Sequence, residues 1–427
     1  MKLFQKMLVA GASVSLLAPI AAQASDVINI EEMNSYSRST KKSSRIDSKT
    51  FINEVSEDIA NLKGRVDGLE ARQNDFEAGG FSDTTTLDGK AIFTIGSVDT
   101  EGATNVSSEG YTGEILANYT YTMNLNTSFN GDDNLYVRLK TGNHDGWSDI
   151  KTHYNTYLVA GTGKSDALTV DKIWYSTTVG KNTFWLGPKI ENYYMHGTTP
   201  SIYKPVLKAF TLGGNAAAYG ASTSPGAGYA YNADNGWAIS TNFTTQDGDT
   251  TGVLTDQGPT SWATQVGYTQ PQYSVSAIVN MKYNDWEDSY FMTTDGKDRS
   301  FNDKNSTNVG LRAWWRPEST GSATPSISLG YDTSETDATG NSNTNAYFVG
   351  LTWQDIINAD DRIGVAFGQP QKHEDDTVDP FLYEVYYDYK VNDSITVTPS
   401  FFGGSSKNAS GSEVDMNGYV LNTTFKF

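Results

Sequence analysis

No cysteine occurs among the 427 residues, so no disulfide can staple this chain. Histidine is scarce as well: His144, His153, His196 and His373 fall in expected loops and show no zinc-type spacing. Beyond residue 20 no apolar run approaches the roughly 18 residues that a membrane-spanning helix needs. Cations are few beside anions, 31 Lys and Arg against 50 Asp and Glu, which gives a formal net charge of −19. That balance argues against a nucleic-acid partner. It points to acidic segments facing water, where solvent and divalent ions screen them.

Lys2 and Lys6 precede an apolar run from Met7 to Ile20, and Ala22-Gln23-Ala24 fits a small-residue cleavage site. Residues 1–24 therefore read as a secretory signal peptide, with the mature chain starting at Ser25. Export without cysteine implies that closed backbone pairing supplies the stability. Abundant glycine and tyrosine, 40 and 25 residues, suit a barrel with a wet interior better than a large packed core. Residues 25–49 are polar and aperiodic, with a basic cluster from Arg38 to Arg45, and read as a disordered arm or linker. Weak contact of that cluster with an anionic cell-wall polymer is the competing reading.

Residues 50–78 carry a seven-residue period. Ile52, Ile59 and Val66 fall at a; Val55, Leu62, Leu69 and Phe76 fall at d, forming a coiled-coil seam. The g and e positions pair Asp58 with Lys63, Arg65 with Glu70 and Arg72 with Glu77, always with opposite signs. Gly64 and Gly68 each weaken an isolated helix by about 1 kcal/mol, so the helix needs neighbouring copies. A trimeric barrel would provide them, although β-branched a residues with Leu at d lean towards dimers. An amphipathic helix lying on its own domain is the alternative.

After Gly79-Gly80 the period becomes two. From Glu114 to Phe129, Ile115, Ala117, Tyr119, Tyr121, Met123, Leu125 and Phe129 share one face, and the opposite face is Asn, Thr and Ser. The pattern recurs at Tyr273–Tyr283 and Phe381–Val391. Strands this long can cross a membrane, where tilted strands take about 9 to 11 residues. Counting weaker segments gives about sixteen, starting near Thr84, Gly113, Asn134, Thr169, Asn182, Gly226, Trp237, Ser261, Tyr273, Thr307, Pro325, Thr344, Asp361, Pro380, Ser394 and Asn417. Short turns are expected to alternate with long loops throughout. The fold class is all-β: an antiparallel transmembrane barrel over 81–427, preceded by a short periplasmic helical coiled coil and embedded in outer-membrane lipid.

The last strand aligns Tyr419, Leu421, Thr423, Phe425 and Phe427 on one face, and its terminal Phe looks like a barrel sorting signal. With Leu62–Arg72 and Phe81–Lys90, these residues resemble the cyanobacterial outer-membrane porins related to carbohydrate-selective porins and labelled iron-uptake porins. The resemblance implies a channel for small hydrophilic solutes, with iron or sugars as the family's labels. Many relatives carry a surface-layer-homology domain ahead of the helix, and 25–49 is too short to hold one.

Strand parity places Lys90, Arg138, Lys140, Lys172, Lys282, Arg312, Arg316, Arg362, Lys390 and Lys426 inside, against Asp88, Glu114, Asp332, Glu384 and Asp388. The connection from Lys189 to Pro225 is long enough to fold inward and constrict the lumen, and it adds Lys189, Lys204 and Lys208 against Glu191. The wall is then net basic, and the expected channel leans towards anions. Pairing of these bases with lumen carboxylates, merely holding the wall together, is the competing reading.

No enzyme chemistry and no cofactor or metal site are expected. Gly161-Thr162-Gly163-Lys164-Ser165 ends like a phosphate-binding loop, but Leu158 stands where the first glycine belongs. The acidic stretch from Asp285 to Asp303 reads as a solvated loop because its spacing is irregular, with calcium binding the competing reading. A plugged barrel acting as an envelope tether, and a barrel-type hydrolase with a site built from loops, remain the competing functions. The expected assembly is a homo-oligomer, with a trimer favoured.

Overall fold

The computed structural model describes residues 63, 66, 84–101, 113–144, 157–214, 217–220, 223–284, 286, 305–336, 343–374, 377–407 and 413–427. The chain separates into two units, Met1–Ala71 and Arg72–Phe427. In the first, Lys63 and Val66 are helical and exposed. The other seam residues, Ile52, Val55, Ile59, Leu62, Leu69 and Phe76, lie outside the described residues, as do the expected signal peptide and arm.

The second unit is a closed antiparallel barrel of sixteen strands, the fold class and strand number expected above. Its strands are β1 Thr85–Glu101, β2 Leu116–Thr127, β3 Asp133–Gly142, β4 Thr169–Val179, β5 Asn182–Ile190, β6 Ser224–Asn232, β7 Trp237–Thr245 and β8 Thr260–Thr269, followed by β9 Tyr273–Tyr283, β10 Ser306–Trp315, β11 Ser326–Thr336, β12 Thr344–Gln354, β13 Arg362–His373, β14 Phe381–Lys390, β15 Ile395–Lys407 and β16 Glu413–Lys426. Closure leaves no edge strand, so each strand is hydrogen-bonded to a neighbour on both sides.

Period-two patterning sets the facing. Along β9, Tyr273, Val275, Val279, Met281 and Tyr283 are exposed on the outside, while Ser274, Ser276, Asn280 and Lys282 are buried inside. A strand with lipid on one side and a polar lumen on the other requires this arrangement. The seam between β1 and β16 is finished by aromatic packing. Phe93 meets Phe425 at 5.2 Å between ring centroids, and Phe427 stacks on Tyr121 at 5.7 Å. Gly89 makes room for that last ring, because a β-carbon there would collide with both Phe427 and the Thr122 carbonyl.

Connections at one end are short through the first ten strands: 128–132, 180–181, 233–236 and 270–272. At the other end they are long: 102–115, 143–168, 191–223, 246–259 and 284–305. Strict alternation fails after β10. The connection 316–325 at the short-turn end is longer than 337–343, 374–380 and 408–412 at the loop end. The long connections cluster beside β1–β10, and the two longest enter the interior.

Inside, an apolar cluster packs along the wall formed by β12–β16 and β1. Val98, Phe348, Leu382, Phe402, Met416 and Val420 point inward from the wall and pack against Leu158, Val206, Leu207 and Phe210 of two connecting segments. This apolar filling gives the segments a dry surface to pack on.

Candidate functional site

The segment that crosses the lumen starts where the wall is irregular. Pro188 carries no N–H and cannot continue the ladder between β5 and β6, so pairing skips from Gly187 to Ile190. The bulge turns Ile190 inward beside Tyr136, Trp174 and Met195. From there the segment 191–223 runs along the inner face of the wall.

Polar contacts hold it at successive strands. Asn192 Nδ2 donates to Asn242 Oδ1 on β7 (2.7 Å), and Thr198 N donates to Gln265 Oε1 on β8 (3.0 Å). Trp314 Nε1 on β10 donates to the Thr199 carbonyl (3.1 Å), and Ile202 N donates to Ser328 Oγ on β11 (3.2 Å). The tip ends on Glu384 of β14. That carboxyl accepts Tyr203 Oη at 2.8 Å, Val206 N at 3.0 Å and Leu207 N at 2.6 Å. Burial, then the neighbouring Glu384, push the Tyr203 phenol well above its ordinary range, so it remains a donor. On the return, Arg312 Nε donates to the Leu212 carbonyl (2.7 Å). Gly330 permits close passage there, since a β-carbon would overlap the Gly213 carbonyl.

The connection 143–168 supports the tip. Val159 N donates to Val206 O (2.8 Å) and Lys208 N to Tyr157 O (2.7 Å), so Leu158 and Leu207 form an antiparallel bridge. The phosphate-loop look-alike folds back on the end of β3: Asn143 bridges Gly163, and Lys164 N donates to the Gly142 carbonyl.

Inward-facing bases separate into three groups. Lys90, Arg138, Lys140, Arg362 and Lys426 lie on β13, β16, β1 and β3 and retain exposure to the lumen. Lys204 and Lys208 sit on the crossing segment and are likewise exposed or half-buried. The charge of Arg362, burial and then Lys426 hold the Lys204 ammonium below the ordinary lysine value. Lys172, Lys282 and Arg312 face inward but are covered, which corrects the expectation that they line open space. Arg312 is paired with Asp332 at 2.9 Å beneath the segment. Lys172 pairs with Glu191, and Lys282 lies 5.9 Å from the centre of the Trp286 ring.

The third group lies at the strand ends. Arg316 donates to the Pro271 carbonyl at a short turn (2.6 Å), and Lys390 pairs with Asp360 and Asp393 in neighbouring turns. Lys189 belongs to β5, not to the crossing segment; it is exposed and donates to Val170 O (3.2 Å). Glu191, expected as the segment's open carboxylate, is buried with Lys172 and accepts Thr223 Oγ1 (3.0 Å). Glu114 precedes β2 and is exposed.

Parity missed Asp171. A bulge between β3 and β4 sets Lys172 opposite Arg138 and Val170 opposite Leu139, and Asp171 approaches Arg138 to 3.8 Å. No motif marks that bulge. The anchoring role of Glu384 is also absent from the pattern, although its inward facing is not.

A closed sixteen-strand barrel with an inward segment tied across to the far wall is the architecture of a restricted channel. The sequence profile of the carbohydrate-selective porin, OprB family, matches residues 43–403. The chain belongs to this family. An uncharacterized protein of Nostoc sp. is 26% identical to this porin, over 88% of its chain and 71% of the relative's. Among solved structures, the trimer form of OmpT, an outer membrane protein of Vibrio cholerae, superposes with a TM-score of 0.51 at 11% identity, covering 81% of this chain and 99% of that one. A mutant of the Rh. blastica porin gives 0.51 at 10% identity, covering 80% and 100%. At such identities the likeness concerns the fold alone. Family membership and barrel together make this an outer-membrane porin.

Proposed function

We propose that this porin is a passive diffusion channel for small hydrophilic solutes and inorganic ions, that it favours anions, and that it catalyses no reaction. The observation that carries this reading is the position of the segment 191–223. It covers the inner faces of β7, β8, β10 and β11 and ends on Glu384 of β14. The remaining passage lies between its tip and the wall that bears Lys90, Arg138, Lys140, Arg362 and Lys426. Carboxylates on that wall are Asp88, held by Asn124 and Asn126, Asp171 beside Arg138, and Asp388 beside Arg362. Local bases therefore exceed local acids, although the whole chain carries −19. Acidic groups beyond about 8–10 Å are screened from ions in the passage at ordinary salt, so the nearby bases set the selectivity.

A trimer is the proposed assembly, by analogy with the trimer form of the Vibrio cholerae protein; the heptad seam calls for neighbouring copies without fixing their number. The coiled-coil helix expected over 50–78 would lie in the periplasm. Reversal potentials across a planar bilayer under a KCl gradient test the channel reading. Anion preference is expected, with a shift towards cations in K90Q/R138Q. Cation preference in the unmodified protein would overturn it.

A further inference from the structure

The lumen-exposed cations form a closed circuit. Lys90 and Lys426 are cross-strand partners, Thr122 of β2 stands between Lys90 and Lys140 in the same row, and Arg138 is two residues from Lys140 on β3. The tip that carries Lys204 and Lys208 is held on Glu384 of β14, the strand whose Asp388 pairs with Arg362. The charges of Arg362 and Lys426 reach Lys204, as that of Lys208 reaches Lys140. Lys204 and Lys208 belong to the same tip, four residues apart, so the chain of neighbours returns to its start. Wall and segment therefore present like charge to each other across the passage. Among the described residues, Lys90, Lys140, Lys204 and Lys426 form no ion pair. Seven cations in this region face three open carboxylates among the described residues, Asp88, Asp171 and Asp388, with Glu384 buried beneath the tip.

We propose that this ring is a binding site for tetrahedral oxyanions carrying two negative charges, such as sulfate, hydrogen phosphate or a phosphate monoester. The proposal rests on the anion-favouring reading above and specifies the solute class. A ring that is basic on both sides supplies no transverse field to orient dipolar solutes; it supplies a positive potential at its centre. Attraction grows with the charge of the anion, and a dianion relieves the mutual repulsion of opposing cations more than a monoanion does. Each ammonium has three donors and the Arg138 guanidinium five, so four oxygens can be shared between tip and wall while water is shed. The three carboxylates limit the net charge, which keeps occupancy reversible and lets the anion leave, as transport requires.

The test uses the full-length protein in planar bilayers, with chloride current as the readout and sulfate, inorganic phosphate at alkaline pH or acetate added. Sulfate and phosphate are expected to reduce the current saturably, at concentrations about ten-fold below those of acetate, on the scale of one charge-assisted hydrogen bond. K204Q/K208Q, confined to the segment, and K90Q/K426Q, confined to the wall, should each remove that ten-fold preference. K181Q, in a turn outside the ring where Lys181 pairs with Asp234, should retain it. Equal effects of acetate and sulfate in a porin that still prefers anions would overturn the site while leaving the channel reading intact. So would a sulfate block that persists in both double variants. Cation preference in the unmodified protein would overturn both.

Discussion

The two halves of the inner wall use the same residues in opposite ways. On β10 and β11, Arg312 and Asp332 form an ion pair under the crossing segment, with the Arg312 side chain 1% exposed. On β3 and β4, Arg138 and Asp171 stand 3.8 Å apart with the Arg138 side chain 22% exposed. Both arginines face inward by strand parity. Cover separates them: a charge sealed from water must be matched by a partner, whereas a charge facing water can act on passing ions. The covered half is consequently a structural surface and the open half an electrostatic one.

Removing the covered base should produce the largest effect. R312M leaves Asp332 buried without its partner, and the expected loss of stability is about 3–5 kcal/mol, measured by urea unfolding in detergent. Ion selectivity of the surviving channels should not change, and R312M/D332L should recover much of the stability. A selectivity shift in R312M comparable with that of K90Q/R138Q would erase the distinction between the halves.

The next effect concerns the boundary between them. E384Q replaces one acceptor oxygen with an amide donor facing Leu207 N, at an expected cost of about 1.5–3 kcal/mol to tip anchoring. The protein should remain folded with larger and noisier single-channel conductance, because the tip no longer holds to β14. Unchanged conductance would mean that the tip does not bound the passage.

The smallest effect is pH-dependent. Burial pushes His196 down to about 3, and its ring lies beside Ser240 Oγ and Asn242 Nδ2 within the covered half. Its folded value lies below the unfolded value of about 6.5. The released segment therefore binds a proton that the native one does not, and stability falls as pH drops from about 6.5 towards 3. Hydrogen exchange of residues 192–199 should quicken across that interval in the unmodified protein. The pH dependence should be weaker in H196N, which removes the titrating ring.

Strand number and facing were legible because two-residue periodicity encodes which side of the wall each residue takes. Every expected strand start lies within four residues of the observed one, from Thr169 and Tyr273, which coincide, to Asn417 against Glu413. What covers an inward residue was not legible, since cover comes from a segment remote in sequence; hence Lys172, Lys282 and Arg312 read like Lys90 and Lys140. One available signal was overlooked: Val414, Met416, Val420, Leu382 and Phe402 are apolar on the inward face. Inward apolar residues mark a wall that is packed against something. Bulges escape such reading too, and one of them brings Asp171 towards the lumen.

Pairing of β1 with β16 couples sequence-distant parts of the chain into a single seam, from Lys90 opposite Lys426 to Glu101 opposite Asp415. β1 is made early in synthesis, and its second partner is made last. A chain interrupted anywhere between them would present an unpaired edge, open to aggregation or chaperone capture. The seam thus works as a completeness check: only a chain that has produced all sixteen strands can hide its edges, and geometry itself distinguishes finished from unfinished product.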